Sequence, residues 1–243
     1  MQSEAFTMTL TRYATRAAAF FDVDGTLVNA TTMFEFLAHH LDARGRPEEY
    51  PAFRNRLDDM ARAGADRSQR CRAYYEMYEG VPVSSVAEEG ARWFAGRAGR
   101  PGFLIESALA EFRSHAAAGH VTVLVSGSFG ACLNPLAEHL GADVLLCSRP
   151  EVRAGVFTGV IDTPMIGAAK ADAVRRLAEE HRLDLEQSFA YGDHVSDVPY
   201  MELVGHPVVV GSDAEVIGHA AEYGWPRLAG GREQTRSTEG IRQ

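Results

Sequence analysis

Lysine is almost absent from this chain of 243 residues. Lys170 is the only lysine, and the other 23 of the 24 basic residues are arginine. A compact ammonium on a flexible stem fits a crowded site for one small anion, whereas the planar guanidinium of arginine is broader. Lys170 therefore reflects either a coding bias towards arginine or a position that arginine cannot fill, and other motifs have to decide between the two.

Cysteines and long apolar runs are also scarce. The three cysteines (Cys71, Cys132 and Cys147) are odd in number and far apart, which indicates buried small side chains in a reducing compartment and argues against disulfides or a zinc site. No apolar run approaches the roughly 18 residues of a membrane span. Residues 1–20 lack the hydrophobic stretch of a secretory signal. We therefore expect a cytoplasmic protein that does not bind membranes.

Positive charge is in deficit, with 24 basic against 33 acidic residues and a net charge of −9. This balance argues against nucleic acid or an anionic membrane surface as the partner, and nothing in the sequence indicates an obligate protein partner. If the ligand is itself an anion, the site needs local positive groups, such as a metal cation, helix N-termini and the lysine. A hydrophobic content of 46% is ample for a sizeable core.

Apolar segments that alternate with helical patterns predict the fold class. The run from Ala17 to Asp22 has no polar alternation, which is typical of a central parallel strand buried on both faces. Alternating strands and helices predict an α/β fold with a doubly wound parallel sheet. The later strands are predicted at 120–126, 142–148, 187–193 and 206–211, with an antiparallel excursion at 151–162.

Two other segments depart from this alternation. Residues 29–104 have helical spacing and no strong strand, which predicts a helical insertion after the first strand. The tail from Gly230 is polar and poor in apolar residues, so we expect it to be frayed.

Two motifs with carboxylates follow predicted strands. In DVDGT, residues two apart on a strand face the same side, so Asp22 and Asp24 can project together at the edge where open α/β sheets bind ligands. In YGDHVSD, Asp193 follows another apolar strand and Asp197 lies one helical turn later. Asp193 and Asp22 could coordinate a hard cation. An Asp-Gly turn without chemistry is the alternative for the first motif.

Two further positions could meet an anion. In LVSGS, the Ser126 hydroxyl and the backbone N–H of Gly127 could hold phosphoryl oxygens; the alternative is that Ser126 only caps the next helix. Lys170 lies near the start of its predicted helix, where a cation is unfavourable unless an anion lies nearby. An exposed lysine without function is the alternative there.

Taken in order, these motifs resemble the haloacid dehalogenase superfamily, specifically its phosphatase branch. The likeness covers nearly the whole chain, and the insertion resembles the helical cap of the phosphoserine-phosphatase-like subfamily IB. The resemblance implies a Rossmann-like catalytic core of residues 1–28 and 105–243 and a cap of residues 29–104. The residues that carry it are Asp22-Val23-Asp24-Gly25-Thr26, Ser126, Lys170, Gly192-Asp193 and Asp197.

The resemblance also implies a chemistry, the Mg²⁺-dependent hydrolysis of a phosphomonoester through an aspartyl-phosphate. Asp22 would be the nucleophile, and Asp24 would protonate the leaving group and then activate water. Mg²⁺ would be held by the Asp22 carboxylate, the backbone carbonyl of Asp24 and Asp193, with Asp197 orienting these ligands by hydrogen bonding.

The remaining motif residues would act on the phosphoryl group and its loop. Ser126, the Gly127 N–H and Lys170 would bind the transferring group, and Thr26 would hold the loop after the nucleophile. In this family the equivalent lysine contacts both the phosphoryl group and the nucleophilic aspartate, which accounts for the single lysine of the chain.

The expected substrate is a small phosphorylated metabolite, and its identity stays open. Asp24 favours phosphate over halide chemistry, because dehalogenases of the superfamily lack this second aspartate. The alternatives are phosphoserine phosphatase proper, a phosphotransferase or phosphomutase, and, more remotely, a non-catalytic phosphate-binding regulatory domain. Phosphoserine phosphatases carry a cap-side Glu nine residues after the nucleophile; Thr31 stands there, and the nearest acid is Glu35. Candidates to line the cap are Arg70, Arg72, Tyr74, Tyr75 and Tyr78, and His194 could touch the metal ligands.

Overall fold

The computed structural model describes residues 15–231. Most of the segment judged for a secretory signal, and the predicted frayed tail beyond residue 231, lie outside the described residues. Among the helices within that range, none combines the length and the apolar character needed to cross a membrane.

A parallel sheet forms the centre of the described chain and confirms the predicted α/β class. In chain order the strands of the described residues are β1 (Ala18–Phe21), β2 (Val121–Phe129), β3 (Val144–Ser148), β4 (Val152–Arg153), β5 (Val156–Phe157), β6 (Phe189–Gly192), β7 (His206–Val210) and β8 (Arg227–Leu228). The six strands of the central sheet run in the order β3-β2-β1-β6-β7-β8, and every neighbouring pair is parallel. The two remaining short strands, β4 and β5, form the predicted antiparallel excursion.

Helices cover both faces of this sheet. Four of them follow β1 in succession: α1 (Thr32–Ala43), α2 (Glu49–Arg62), α3 (Arg67–Glu76) and α4 (Val83–Ala95). The others are α5 (Glu106–Ala117), α6 (Gly130–Leu140), α7 (Ala168–His181), α8 (Val198–Met201) and α9 (Ala214–Tyr223). Apolar residues of α1 to α6 form one core cluster with one face of the sheet, and those of α7 to α9 form a second cluster with the opposite face.

Strand β1 shows why the sequence forms this architecture. Its four residues are fully buried; Ala18 and Phe20 belong to one core cluster, whereas Ala19 and Phe21 belong to the other. A strand that contacts apolar layers on both sides needs a continuous hydrophobic run, because successive side chains point to opposite faces. The run that begins at Ala17 therefore occupies the middle of the sheet.

The predicted end of the second strand was wrong. Strand β2 continues past Ser126 to Phe129, with an irregular register against β3 between those two residues. Gly127 and Ser128 lie within this irregular part of β2, before α6 begins at Gly130. Helix α9 and strand β8 were not predicted. Strand β8, which has only two residues, is the edge strand of the sheet beside β7.

The contact between α4 and α6 depends on the absence of a side chain at Gly90. A Cβ built there would lie 1.8 Å from the carbonyl oxygen of Ala131 and 2.7 Å from its carbonyl carbon. The backbones of these two helices touch at this point, so a methyl group can enter only if the helices separate.

We therefore expect Gly90→Ala to lower the free energy of unfolding by about 2 kcal/mol, because overpacking outweighs the better helix propensity of alanine. Urea unfolding followed by circular dichroism measures this difference. The matched control is Gly218→Ala in α9, where a Cβ meets nothing within 4 Å; it should gain about 0.5–1 kcal/mol. Equal stabilities of the two variants would contradict the proposed close packing.

Candidate active site

The predicted site residues lie at the carboxyl edge of the sheet, beside the two adjacent strands β1 and β6. The chain forms β2 and β3 on one side of β1 and then crosses to form β6 on the other, so this is the point where the strand order reverses and where such sheets bind ligands. The backbone N–H of Asp22 donates to the carbonyl of Tyr191 at 2.9 Å, which fixes the first acid directly beside the end of β6.

Three carboxylates meet at this edge. Within the described residues, Asp22, Asp193 and Asp197 each offer an oxygen, and these oxygens lie within 4.8 Å of one another. Burial, together with the neighbouring Asp197, raises the pKa of Asp193 to about 7. Burial also raises the pKa of Asp22 well above its usual range, although Lys170 acts in the opposite direction. Burial therefore opposes the ionised forms of both acids, and the neighbouring carboxylates add to that effect.

Lys170 lies inside this cluster. Its ammonium donates to Asp22 Oδ1 at 2.5 Å and to Asp197 Oδ1 at 2.7 Å, and its side chain is buried. It also lies 5.5 Å from the centroid of the Tyr200 ring. Burial acts to lower the pKa of Lys170, but Asp197 and Asp22 together outweigh burial and raise it. Lys170 is not the exposed lysine of the alternative interpretation, because it pairs with two buried anions.

Asp24 lines the same cavity but is not one of the three clustered carboxylates. Its side chain accepts a hydrogen bond from the backbone N–H of Thr32 at 3.0 Å, at the start of α1. Burial, partly offset by the Thr32 N–H, raises the pKa of the Asp24 carboxyl to about 6. The second acid of DVDGT therefore faces the helical segment, whereas the first contacts Lys170.

Ser126 and Gly127 lie in the irregular end of β2. The buried Ser126 hydroxyl accepts a hydrogen bond from the Ser128 N–H at 3.1 Å, and α6 begins only at Gly130, so Ser126 is not the helix cap of the alternative interpretation. A Cβ on Gly127 would lie 3.3 Å from Ile166 Cγ1, which is a tight contact. Gly127, without a side chain, fits this tight place in the cavity lining.

Gly25 and Thr26 hold the other side of the acid cluster. Gly25 has a φ of +90°, and a Cβ there would lie 2.1 Å from Asp193 Oδ2, so only glycine leaves room for this carboxylate. The hydroxyl of Thr26, which is fully buried, donates to Asp193 Oδ1 at 3.4 Å. Gly25 and Thr26 of the first motif therefore position Asp193, which is distant in sequence.

A cavity of about 320 Å³ opens above these groups. It collects seven of the predicted site residues, whereas Thr26 does not line it. The seven are Asp22, Asp24, Ser126, Gly127, Lys170, Asp193 and Asp197. On the opposite side the cavity is lined by Arg67, Arg70, Cys71 and Tyr74 of α3, which follow one face of that helix.

Several residues of the helical segment that were candidates to line the cap do not line the cavity. Arg72 donates to the backbone carbonyl of Asp162 at 2.9 Å and does not line the cavity. Tyr75 and Tyr78 are buried among other aromatic rings and do not line it either. Glu35 also lies outside the cavity lining, where it pairs with Arg97 at 3.0 Å.

One contact was missed by sequence reasoning. Arg67 donates to His194 Nδ1 at 3.0 Å and to Ser196 Oγ at 2.8 Å, across a gap of about 130 residues in sequence. His194 is thus engaged by Arg67 and by the backbone N–H of Ser196. The sequence has no local signal for this pairing, because an arginine at the start of a helix is ordinarily a solvated charge.

The acid cluster fits a divalent metal ion. Three carboxylates lie within reach of one ion, and oxygen donors of this kind are the ligands that Mg²⁺ prefers. Lys170 is the one lysine of the chain, and it supplies a single positive charge to these acids. A cation placed among them would relieve the remaining repulsion.

Comparison with known proteins finds one family model and several relatives that are similar to this chain. The sequence model described as haloacid dehalogenase-like hydrolase matches residues 19–202. An inhibition of morphological differentiation protein of Streptomyces azureus is 31% identical over 218 residues, which cover 88% of this chain and 78% of that protein. A phosphoserine phosphatase of Mycobacterium tuberculosis is 30% identical over 227 residues, which cover 86% of this chain and 69% of that protein.

A solved structure agrees with the fold. A protein of unknown function from Bordetella pertussis Tohama I superposes with a TM-score of 0.79 at 25% identity, over 88% of this chain and 99% of the other. The shared architecture therefore extends over nearly the whole of that protein.

Proposed function

This chain belongs to the haloacid dehalogenase-like hydrolase family and is a phosphoric monoester hydrolase of the phosphoserine-phosphatase-like kind; from that premise we propose that it hydrolyses a small organic phosphate with Mg²⁺ and through an aspartyl-phosphate on Asp22. One observation carries the proposal. Buried Asp22 accepts a hydrogen bond from Lys170 and has Asp193 and Asp197 beside it, in a cavity that Asp24 also lines.

The proposed reaction has two steps. The Asp22 carboxylate attacks phosphorus, the bond from phosphorus to the ester oxygen breaks, and Asp24 donates its proton to the departing alkoxide. Asp24 then takes a proton from a water molecule, whose oxygen attacks the phosphorus of the aspartyl-phosphate. The bond to Asp22 breaks, which releases inorganic phosphate and restores the carboxylate.

The surrounding groups are proposed to stabilise the phosphoryl oxygens during both steps. Lys170 supplies a fixed positive charge next to the attacking carboxylate, and the Ser126 hydroxyl and the Gly127 N–H supply hydrogen bonds. The metal ligands would be the carboxylates of Asp22 and Asp193 with the backbone carbonyl of Asp24, and Asp197 would orient them. When bound, Mg²⁺ supplies additional positive charge against the transferring group.

Residues 29–104 are proposed to act as a cap over this site. The two connections to the rest of the chain lie side by side: the Asn29 N–H donates to the Phe103 carbonyl at 2.8 Å, and the Ile105 N–H donates to the Leu27 carbonyl at 2.9 Å. Such a paired connection is where a cap can hinge over the core.

The cavity volume supports a small metabolite as the substrate. The cytoplasmic location stays a prediction, supported by three buried, free cysteines.

Metal removal tests this function directly. Purified protein should hydrolyse p-nitrophenyl phosphate, lose about 100-fold or more of that activity in EDTA, and regain it when Mg²⁺ is added in excess. The physical reason is that the carboxylate cluster otherwise repels the dianionic phosphate. EDTA saturated with Mg²⁺ beforehand is the control for nonspecific inhibition, and full activity of the metal-free protein would refute the metal-dependent mechanism.

A further inference from the structure

The irregular end of β2 is contacted by a side chain of the neighbouring strand. The register of β2 against β3 passes from Ser126 directly to Phe129, so that Gly127 and Ser128 have no partner residue in β3. The Ser148 hydroxyl, at the end of β3, donates to the Gly127 carbonyl at 2.7 Å. Extra residues in a strand are used next to active sites to re-aim the chain. A side chain of β3 thus meets the main chain of β2 where the regular pairing is interrupted.

The Ser148 hydroxyl is both an acceptor and a donor in this contact. Ser148 is 2% exposed, and its oxygen accepts a hydrogen bond from the Met165 N–H at 3.0 Å. A serine hydroxyl has one proton, and that proton goes to the Gly127 carbonyl. The Tyr75 hydroxyl of α3 donates to the same carbonyl over a longer distance, 3.3 Å. Since Gly127 and Met165 both line the cavity, Ser148 joins two parts of its lining without lining it itself.

The bond at the Gly127 carbonyl fixes the direction of the next N–H group. The peptide group between Gly127 and Ser128 is planar, so its carbonyl and its N–H point in opposite directions. The Ser128 N–H donates to Ser126 Oγ at 3.1 Å. Because the Ser126 oxygen accepts this bond from the main chain, the single proton of its hydroxyl is left for a ligand in the cavity.

We propose that Ser148 is a positioning residue for the hydroxyl of Ser126. It holds the peptide group after Gly127 in one orientation, and this peptide group holds Ser126 Oγ so that its proton is directed at the transferred phosphoryl group. A donor that is aligned before the reaction stabilises the charge of the transition state without reorganisation. This inference rests on the proposed phosphatase function and adds to it a residue that does not line the cavity.

Two buried serines allow a matched comparison. Ser188 precedes β6 at the opposite edge of the sheet; its hydroxyl accepts from the Ala18 N–H at 2.9 Å and donates to the Asp184 carbonyl at 2.5 Å. Ser148→Ala and Ser188→Ala each remove a buried hydroxyl with one accepted and one donated bond, so both should lower the melting temperature by about 2–6 °C. In saturating Mg²⁺, Ser148→Ala should lower kcat for p-nitrophenyl phosphate by about 10-fold, whereas Ser188→Ala should stay within about 2-fold of the wild type.

A double-mutant cycle tests whether Ser148 acts through Ser126. Ser126→Ala removes the proposed phosphoryl donor itself and should lower kcat by about 100-fold. Adding Ser148→Ala to this variant should lower kcat by less than about 2-fold more, because the group that Ser148 positions is gone. Ser148→Cys keeps a side chain of similar size with a weaker donor, so its kcat should lie between those of the wild type and Ser148→Ala. The cysteine variant carries the test if the alanine variant does not fold.

The outcomes separate this inference from the function beneath it. Three results would overturn the role of Ser148 and leave the Mg²⁺-dependent phosphatase standing. These are a wild-type kcat for Ser148→Ala, an equal loss of kcat in Ser188→Ala, and the same fold-loss from Ser148→Ala in the wild-type and the Ser126→Ala backgrounds. A folded wild-type protein that does not hydrolyse p-nitrophenyl phosphate with Mg²⁺ would overturn the proposed function, and the role of Ser148 with it.

Discussion

Replacing Asp22 by asparagine is expected to abolish turnover, with kcat lower by about 10⁴-fold or more. The amide of asparagine is a poor nucleophile, so the aspartyl-phosphate cannot form by the proposed route. The other carboxylates that line the cavity are engaged elsewhere: Asp24 is held by the Thr32 N–H, Asp193 lies against Gly25 and Thr26, and Asp197 accepts from Lys170. The measurement is steady-state hydrolysis of p-nitrophenyl phosphate in saturating Mg²⁺.

The same substitution is expected to leave the fold intact or more stable. Burial raises the pKa of Asp22, so its ionised form is held in the folded protein at a cost that an uncharged amide avoids. Lys170 keeps Asp197 as its partner. A melting temperature equal to or above that of the wild type, together with lost activity, is therefore the expected pair of results. The control is Asp172→Asn, which removes an exposed carboxylate on α7 and should change neither the melting temperature nor the activity.

A beryllofluoride trap distinguishes loss of the nucleophile from loss of the whole site. Beryllofluoride attached to a carboxylate mimics an aspartyl-phosphate, so Asp24→Asn should still bind it in the presence of Mg²⁺, whereas Asp22→Asn should not. Titration calorimetry with both variants measures this. Wild-type turnover by Asp22→Asn would show that covalent catalysis at Asp22 is wrong.

The core of the fold could be predicted because its signal is local. A fully buried parallel strand must be continuously apolar, and the polar residue that ends it must lie at the sheet edge. Asp22 and Asp193 each follow such a run, on strands that prove to be neighbours. The sequence alone does not state that β1 and β6 are adjacent; the only expectation was that Asp22 and Asp193 could coordinate one cation, and the sheet order places them at the ends of neighbouring strands.

The helical side of the site could not be predicted, because its contacts are made between distant segments. Arg67 and Arg72 have the same residue type on the same helix, yet Arg67 meets His194 and Arg72 meets the carbonyl of Asp162. Which arginine faces the cavity depends on how α3 is rotated over the core, and the short helix has no strong apolar stripe to indicate that rotation. The extension of β2 beyond Ser126 was missed for a different reason, because a glycine directly after Ser126 is more typical of a turn than of a strand.

Substitution of Lys170 is expected to have the second large effect on turnover, because this position requires both a positive charge and a small head group. The ammonium fits between Asp22 and Asp197 at 2.5 and 2.7 Å, with the ring of Tyr200 on another side. A guanidinium keeps the charge but is a wider plane, so it must move one of these neighbours. Moving Asp22 displaces the nucleophile itself.

We therefore expect Lys170→Arg to lose about 100-fold or more of kcat while the protein stays folded, because a preorganised contact to the transition-state charge is lost. Lys170→Met should lose both activity and about 3 kcal/mol of stability, since it leaves two buried carboxylates without their partner. The reverse exchange at an exposed position of the same helix, Arg175→Lys, is the control and should change neither property. Turnover and thermal melting of the three variants separate the effect of the positive charge at position 170 from the effect of the shape of its head group. If Lys170→Arg hydrolysed phosphate esters at nearly the wild-type rate, the single lysine of this chain would be an accident of composition, because a site that accepts guanidinium gives no reason for its retention.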